Sequence, residues 1–413
     1  MMGQIWYKIL IISIYLLKDG DTMADVTFSN RMQGVTGSAI REIFKIVAAG
    51  NVISFAGGNP NPATFPKEEL SRISAELLSE NGAVLLQYGQ TEGYAPLYES
   101  IKQVLAPRGF AIGQGELLPL TGSSQGIELF TKLMINPGDV ILAEAPTFLG
   151  ALQTFFSYEA NVIGVKMEED GMDLNDLEEK IKLHKPKFIY TIPTFQNPMG
   201  VCMSANKRKA VAELAARYGV AVLEDDPYCE LRYEGEMLPS IKSFDTAGLV
   251  VHLMSFSKTV SPGLRVGAAV GNSTVIRKMV VAKQGADVHT ANLNQAMVDA
   301  YVRRGYYFDH VKEIIPSYKK QMDTMVELFS LFPQGVRYTR PSGGLFTWVE
   351  LPEGKDALAL LPKAVEAGVA YVPGEHFYAR DGKKNTMRLN FSASTPEQIV
   401  KGMEILADVL KKA

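Results

Sequence analysis

A chain of 413 residues, 46% hydrophobic and 21% charged, is long enough to bury a large core and is expected to fold as two domains, which excludes a small binding module or a disordered polymer. A formal net charge of −3 with no long block of Lys and Arg excludes a nucleic-acid surface and leaves small molecules as the expected partners. Two cysteines, Cys202 and Cys229, and five scattered histidines exclude a disulfide framework and offer no spacing for a zinc or iron site, so no metal is expected and a reducing cytoplasm fits.

Residues 1–22 read as an extra N-terminal segment. Their apolar run, interrupted by Lys8 and Ser13, is too short to cross a bilayer and lacks the basic start and small-residue cleavage site of a signal peptide. The leading reading is a mis-called start with Met23 as the first residue; an added amphipathic helix and membrane attachment are the alternatives. Ser38 caps a predicted helix that carries Arg41 and ends near Gly50. Residues 53–56 then lead into the loop Gly57-Gly58-Asn59-Pro60-Asn61-Pro62. Apolar runs at 139–145, 188–192, 220–224, 249–254 and 266–270 alternate with helical patterns, which predicts an α/β architecture with a mainly parallel sheet between helices. Helical periods follow at 290–304 and 313–329, and the remainder, with a strand at 343–349 and an amphipathic helix at 397–411, predicts a smaller α+β domain. The expected boundaries are 23–64 for an N-terminal segment joining the small domain, 65–305 for the large domain and 306–413 for the small one.

The strongest chemical signal is Ser255-Phe256-Ser257-Lys258-Thr259-Val260-Ser261-Pro262-Gly263-Leu264-Arg265, directly after the predicted strand 249–254. A lone lysine in a serine-rich loop is ordinarily solvated. Here Lys258 stands where it can form an imine with an aldehyde cofactor, while Ser255, Ser257 and Arg265 supply donors and charge for a phosphate dianion. Upstream, Glu224-Asp225-Asp226-Pro227-Tyr228 closes an apolar strand at its carboxyl end, the place where open α/β sheets bind ligands. Thr121-Gly122-Ser123-Ser124-Gln125-Gly126 opens a helix whose free N–H groups could receive an anion; an N-cap without a ligand is the plain alternative.

The 255–267 segment resembles the lysine motif of the class I/II aminotransferases of fold type I, which are pyridoxal-phosphate (PLP) enzymes. The similarity runs from about Ser38 to the C-terminus and is nearest to the 2-aminoadipate and kynurenine/aminoadipate aminotransferases. This resemblance implies a large domain with a mainly parallel seven-stranded sheet. It implies Lys258 as the lysine that holds pyridoxal 5'-phosphate, Asp225 as the partner of the pyridine nitrogen, and Tyr228 and Asn197 as donors to the ring oxygen. Ser123, Ser124, Gln125, Ser255, Ser257 and Arg265 are then phosphate ligands; the family usually has glutamine where Ser124 stands, which puts a side-chain contact there in doubt. Phe148 occupies the position of a tyrosine that stacks on the ring, a task that needs only an aromatic face.

For substrate, the resemblance implies Arg388 as the clamp on the α-carboxylate, a bidentate geometry that lysine cannot reproduce, with Asn197 beside it and Gly58 in the loop over the substrate. Arg41 aligns with a position that meets an acidic substrate side chain, and a solvated helix arginine is the equal alternative. Tyr88 matches a tyrosine that reaches the phosphate of the neighbouring subunit, which implies a homodimer with shared active sites; core packing of Tyr88 is the alternative. The implied activity moves an amino group from an L-amino acid (2-aminoadipate, aromatic or branched-chain) to 2-oxoglutarate by a ping-pong mechanism. A PLP-dependent β-lyase of the cysteine-conjugate type is the runner-up. A sensor module like that of the PLP-dependent transcription regulators is disfavoured, because the residues ahead of the matched helix are too few and too apolar for a DNA-reading domain.

Overall fold

The computed structural model describes residues 28–33 and 52–412. Arg41 and the segment 1–22 lie outside them. The chain divides into two units, 1–36 and 37–413; the described part of the first contains one helical turn, Asn30–Gln33. All that follows concerns the unit 37–413.

Its strands, in chain order, are β1 (Ile53–Ser54), β2 (Leu117–Leu120), β3 (Val140–Ala145), β4 (Asn161–Glu168), β5 (Gly171–Met172), β6 (Phe188–Thr191), β7 (Ala221–Asp225), β8 (Val250–Ser255), β9 (Gly267–Val270), β10 (Arg337–Tyr338), β11 (Phe346–Glu350), β12 (Val369–Ala370), β13 (Val372–Pro373) and β14 (Thr386–Asn390). The large sheet has the order β2-β9-β8-β7-β6-β3-β4-β5. Strands β8, β7, β6, β3 and β4 are parallel neighbours, whereas β9 runs antiparallel to both β8 and β2. The seven expected strands are therefore present, with the two-residue β5 added antiparallel on the β4 edge.

Helices cover both faces of this sheet. Strands β2, β6, β8 and β9 are accordingly buried at every residue, with mostly apolar residues on both faces rather than an apolar/polar alternation. Alternate residues serve different cores: Phe188 and Tyr190 of β6 pack with the helices Ser123–Met134, Leu149–Ser157 and Ser273–Gln284, while Ile189 packs with Leu174–His184 and Ala205–Tyr218. This period of two puts Tyr190, Leu223 and Asp225 on one face, and Glu224 and His252, partners in the β7/β8 register, on the other.

The C-terminal part forms a second, antiparallel sheet of order β10-β11-β14-β13. It packs with the helices Ala357–Ala367 and Pro396–Lys411 around Trp348, Leu389, Phe391, Met403 and Leu406. Thr395 and Gln398 close a reciprocal capping box at the start of the last helix, which satisfies two otherwise orphaned N–H donors. The helix Tyr306–Glu327 begins seven residues before the expected 313, at Gly305 with φ +84°, and continues through Pro316. It spans three cores, contributing Tyr307, Ile314 and Met322 to them in turn. The strand β1 pairs parallel with β12, and Asn390 N donates to the Phe55 carbonyl at 2.8 Å, so residues 53–55 join the C-terminal strands beside β14.

Candidate active site

Three adjacent parallel strands deliver side chains to one end of the large sheet. Lys258 follows β8 in a turn, half-buried, and its Nζ donates to the Gly58 carbonyl at 2.9 Å. Burial, with the Arg388 and Arg265 charges adding to it and Asp225 opposing, pushes this amine down to about 8, so the neutral, nucleophilic form is accessible near neutral pH. Asp225 ends β7 with 2% of its surface exposed. Its Oδ2 accepts from the Tyr190 hydroxyl at 2.9 Å, whereas Oδ1 is buried with no donor. Burial raises this carboxyl to about 7, with Asp226 adding and Tyr190, His252 and Lys258 opposing. A buried, unpaired carboxylate oxygen costs about 1–3 kcal/mol or more, and it calls for a donor from outside the chain.

A second group of residues forms a continuous chain of hydrogen bonds. Asn197 Nδ2 donates to the Tyr228 hydroxyl at 3.4 Å, and Asn197 Oδ1 accepts from Arg388 Nη1 at 2.9 Å. Arg388 Nη2 donates to the Ala56 carbonyl at 2.7 Å. Arg388 is buried on β14, its guanidinium 4.3 Å from the Phe346 ring centre and 5.0 Å from that of Phe377, and its Nε has no partner. Among the described residues no carboxylate pairs with it. Neutral oxygens and aromatic faces hold the cation instead, and burial lowers it to about 10. Burial likewise raises the Tyr228 hydroxyl above its ordinary value.

The anion cup is assembled from two loops. The helix Ser123–Met134 opens immediately after Gly122, which has φ +80°, and its first N–H groups and dipole favour negative charge. Ser123 and Ser124 occupy the first two helical positions with no side-chain cap bond. Arg265, itself left-handed at φ +54°, donates to Thr121 O at 3.1 Å, Ser257 Oγ at 3.3 Å and Pro262 O at 3.4 Å. Ser255 Oγ donates to Ser257 Oγ at 3.0 Å. A Cβ on Gly122 would collide with the Arg265 guanidinium, and the positive φ disfavours any side chain there. Gly122→Ala is expected to weaken cofactor retention about 10- to 100-fold, read by equilibrium titration of the apoenzyme; unchanged affinity would place the phosphate elsewhere.

Gln125, expected as a phosphate ligand, is diverted. Its Oε1 accepts from Thr121 N at 2.9 Å and Lys283 Nζ at 2.7 Å, and its Nε2 donates to Asp287 Oδ2 at 2.7 Å. Even its backbone N–H is used, by Gly122 O. The other expected residues fall as follows. Phe148 is half-buried at the start of the helix Leu149–Ser157. Gly58 offers its carbonyl to Lys258. Tyr88 is 82% exposed, its ring edge-on to His289 at 6.0 Å, so core packing does not describe it.

Several participants carried no sequence signal. Tyr190, Phe346 and Phe377 read as ordinary strand and core aromatics, and the Ala56 carbonyl has no side-chain signature. Glu144, buried on β3, accepts from Thr191 Oγ1 at 2.6 Å and Gln196 Nε2 at 2.9 Å, and burial raises it to about 7. Gln196 in turn accepts from Met199 N at 2.8 Å. Glu144 therefore pins the turn that presents Asn197.

A nucleophilic amine, an unpaired buried carboxylate oxygen and a hydroxyl-lined guanidinium cup fit the aldehyde, the ring N–H and the phosphate of pyridoxal phosphate, so the fold and site define a PLP-dependent aminotransferase. The chain belongs to the aminotransferase class I and II family, whose sequence profile matches residues 51–406. It is 43% identical over 392 residues to aromatic-amino-acid aminotransferase 1 of Thermococcus litoralis, covering 93% of this chain and 94% of that one. It is 40% identical over 381 residues to the 2-aminoadipate transaminase of Thermus thermophilus, covering 91% and 95%. The crystal structure of a Pyrococcus horikoshii kynurenine aminotransferase in complex with PMP superposes with a TM-score of 0.90 at 43% identity, covering 93% of this chain and 97% of that one.

Proposed function

We propose that the protein transfers an amino group from an aromatic or 2-aminoadipate-type L-amino acid to 2-oxoglutarate, in two half-reactions through one site, as a homodimer with shared active sites. The observation that carries this reading is the buried Arg388 guanidinium, which has no carboxylate partner among the described residues and lies next to Asn197 and Tyr228. An α-carboxylate from the substrate is the missing anion, recognised by a planar fork of donors. The relatives named for aromatic amino acids, 2-aminoadipate and kynurenine support the donor range.

Each residue then has a task. Lys258 Nζ would hold the cofactor and, as a free amine, would take the proton from the substrate Cα. Asp225 Oδ1 accepts the ring N–H, and Asn197 and Tyr228 donate to the ring oxygen. Ser255, Ser257, Arg265 and the N–H groups at Ser123 and Ser124 hold the phosphate, and Phe148 supplies an aromatic face. Bound pyridoxal phosphate supplies an electrophilic aldehyde and a protonated ring that withdraws charge from the reacting carbon. Phe346 and Phe377 keep water from the clamp. Support for the dimer comes from Tyr88, exposed together with its neighbours Val84 and Leu86, an apolar strip of the kind that a two-fold contact covers.

The test is a panel of amino acids added to the purified holoenzyme, following the loss of visible cofactor absorbance and its recovery when 2-oxoglutarate is then added. Bleaching that 2-oxoglutarate reverses, strongest with aromatic donors and 2-aminoadipate, is the expected result. Stoichiometric ammonia and pyruvate from a cysteine conjugate, without dependence on an oxo acid, would establish the lyase reaction instead.

A further inference from the structure

Asp225 has two oxygens in unlike situations. Oδ2 is held by the Tyr190 hydroxyl at 2.9 Å; Oδ1 is buried and unpaired. Tyr190 itself is fully buried on β6, the strand next to β7, and its ring packs edge-on against Phe155 at 5.4 Å. That packing leaves the ring little freedom, so the hydroxyl is aimed by its neighbours rather than by the carboxylate. Asp225 is its one hydrogen-bond acceptor among the described residues.

We infer that Tyr190 is a positioning residue for the cofactor's electron-withdrawing ring: by occupying Asp225 Oδ2 it fixes the carboxylate plane and leaves Oδ1 as the oxygen available to the ring N–H. The inference rests on the proposed pairing of Asp225 with that N–H and is independent of the amino donor. Two physical effects follow from one hydroxyl. The first is orientation, because a carboxylate bonded at one oxygen can no longer rotate about its Cβ–Cγ bond in an otherwise donor-free pocket. The second is charge. The titratable groups around Asp225 are Tyr190 on β6, the adjacent Asp226 and Lys258, with His252 of β8 acting from the opposite face of the sheet and Glu144 on β3 and Tyr228 beyond them. Asp226 and Glu144 disfavour an ionised Asp225. Tyr190 is the direct hydrogen-bond donor among these groups, and hydrogen bonds to a charged acceptor are stronger than neutral ones.

The experiment is a double-mutant cycle on apoenzyme affinity for pyridoxal phosphate, measured from pH 6 to pH 9 by quenching of protein fluorescence. Tyr190→Phe keeps the ring and its contact with Phe155. It is expected to weaken cofactor binding about 10- to 100-fold and to move the midpoint of the affinity-against-pH curve upward by about one unit, because the carboxylate loses a donor that favoured its charged form. Asp225→Asn, measured alone, tests the underlying pairing, and should also weaken binding. In the Asp225→Asn background the Tyr190→Phe change should cost less than about 3-fold, since the partner through which Tyr190 acts is gone.

If Asp225→Asn weakens binding while Tyr190→Phe leaves both affinity and pH midpoint unchanged, the inference is overturned and the pairing stands. If Asp225→Asn has no effect, the pairing fails and the inference with it. An equal loss from Tyr190→Phe in both backgrounds would show general damage to packing and would also overturn it. A circular dichroism melt of each apo variant shows that it is folded before its affinity is read.

Discussion

Lys258→Ala is expected to lower kcat by at least about 10⁴-fold, because it removes the covalent hold on the cofactor and the base for the Cα proton together. Steady-state assay of the reconstituted variant measures this, and retention of more than a hundredth of the activity would move the chemistry to another side chain. Borohydride reduction of the wild-type holoenzyme followed by peptide mapping should leave the adduct on Lys258. The same amine predicts a pH dependence. Burial and the Arg388 and Arg265 charges hold it down to about 8. The protonated amine is no nucleophile, so capture of pyridoxal phosphate by the apoenzyme should be slow at pH 6 and rise through pH 8, well below the ordinary lysine range. A midpoint above pH 10 would show that this environment does not depress it.

Arg388→Lys should reduce kcat/KM for the amino acid by about 10²- to 10⁴-fold while leaving the visible spectrum of the bound cofactor in place. The guanidinium spends Nη1 on Asn197 and Nη2 on the Ala56 carbonyl, and those bonds fix the plane in which it meets a carboxylate. An ammonium cannot keep both bonds and also present a fork. Two charged hydrogen bonds at about 1.5–3 kcal/mol each set the size of the loss. Steady-state kinetics with a good donor checks it, with absorbance of the resting enzyme as the control for cofactor retention. A loss below 10-fold would place carboxylate recognition elsewhere.

Legibility of this site followed chain distance. Lys258, Ser255, Ser257, Arg265 and Asp225 lie at or just after strand ends, and a buried apolar run followed by polar residues marks such a place locally. Asn197 and Arg388 could be paired from family resemblance alone, since their contact joins residues from different sheets. The bonds of Gln125 to Lys283 and Asp287 could not be foreseen, because those groups lie more than 150 residues onward and the motif at 121–126 carries no trace of them. Tyr190 stayed hidden because tyrosine in a strand satisfies β-propensity without any function. In the fold, β4 escaped notice: it is half-buried, with lysine and glutamate in its run, and lacks the complete burial of β6 and β8. The helix Tyr306–Glu327 lacked a start signal because its first residues follow Gly305 with no capping side chain.

The hydrogen bond between Asn197 and Arg388 spans 191 residues, and that between Arg388 and the Ala56 carbonyl spans 332. A ribosome adding about 5–20 residues per second delivers Asp225 and Lys258 long before Arg388. The nascent chain can therefore complete its cofactor-facing half first, while the strand Ile53–Ser54 waits roughly 20–60 s for Val369–Ala370 to emerge and pair with it. During translation the Ile53–Ser54 stretch stays without its strand partner, and the contacts that Arg388 makes with Asn197 and Ala56 form only as synthesis finishes.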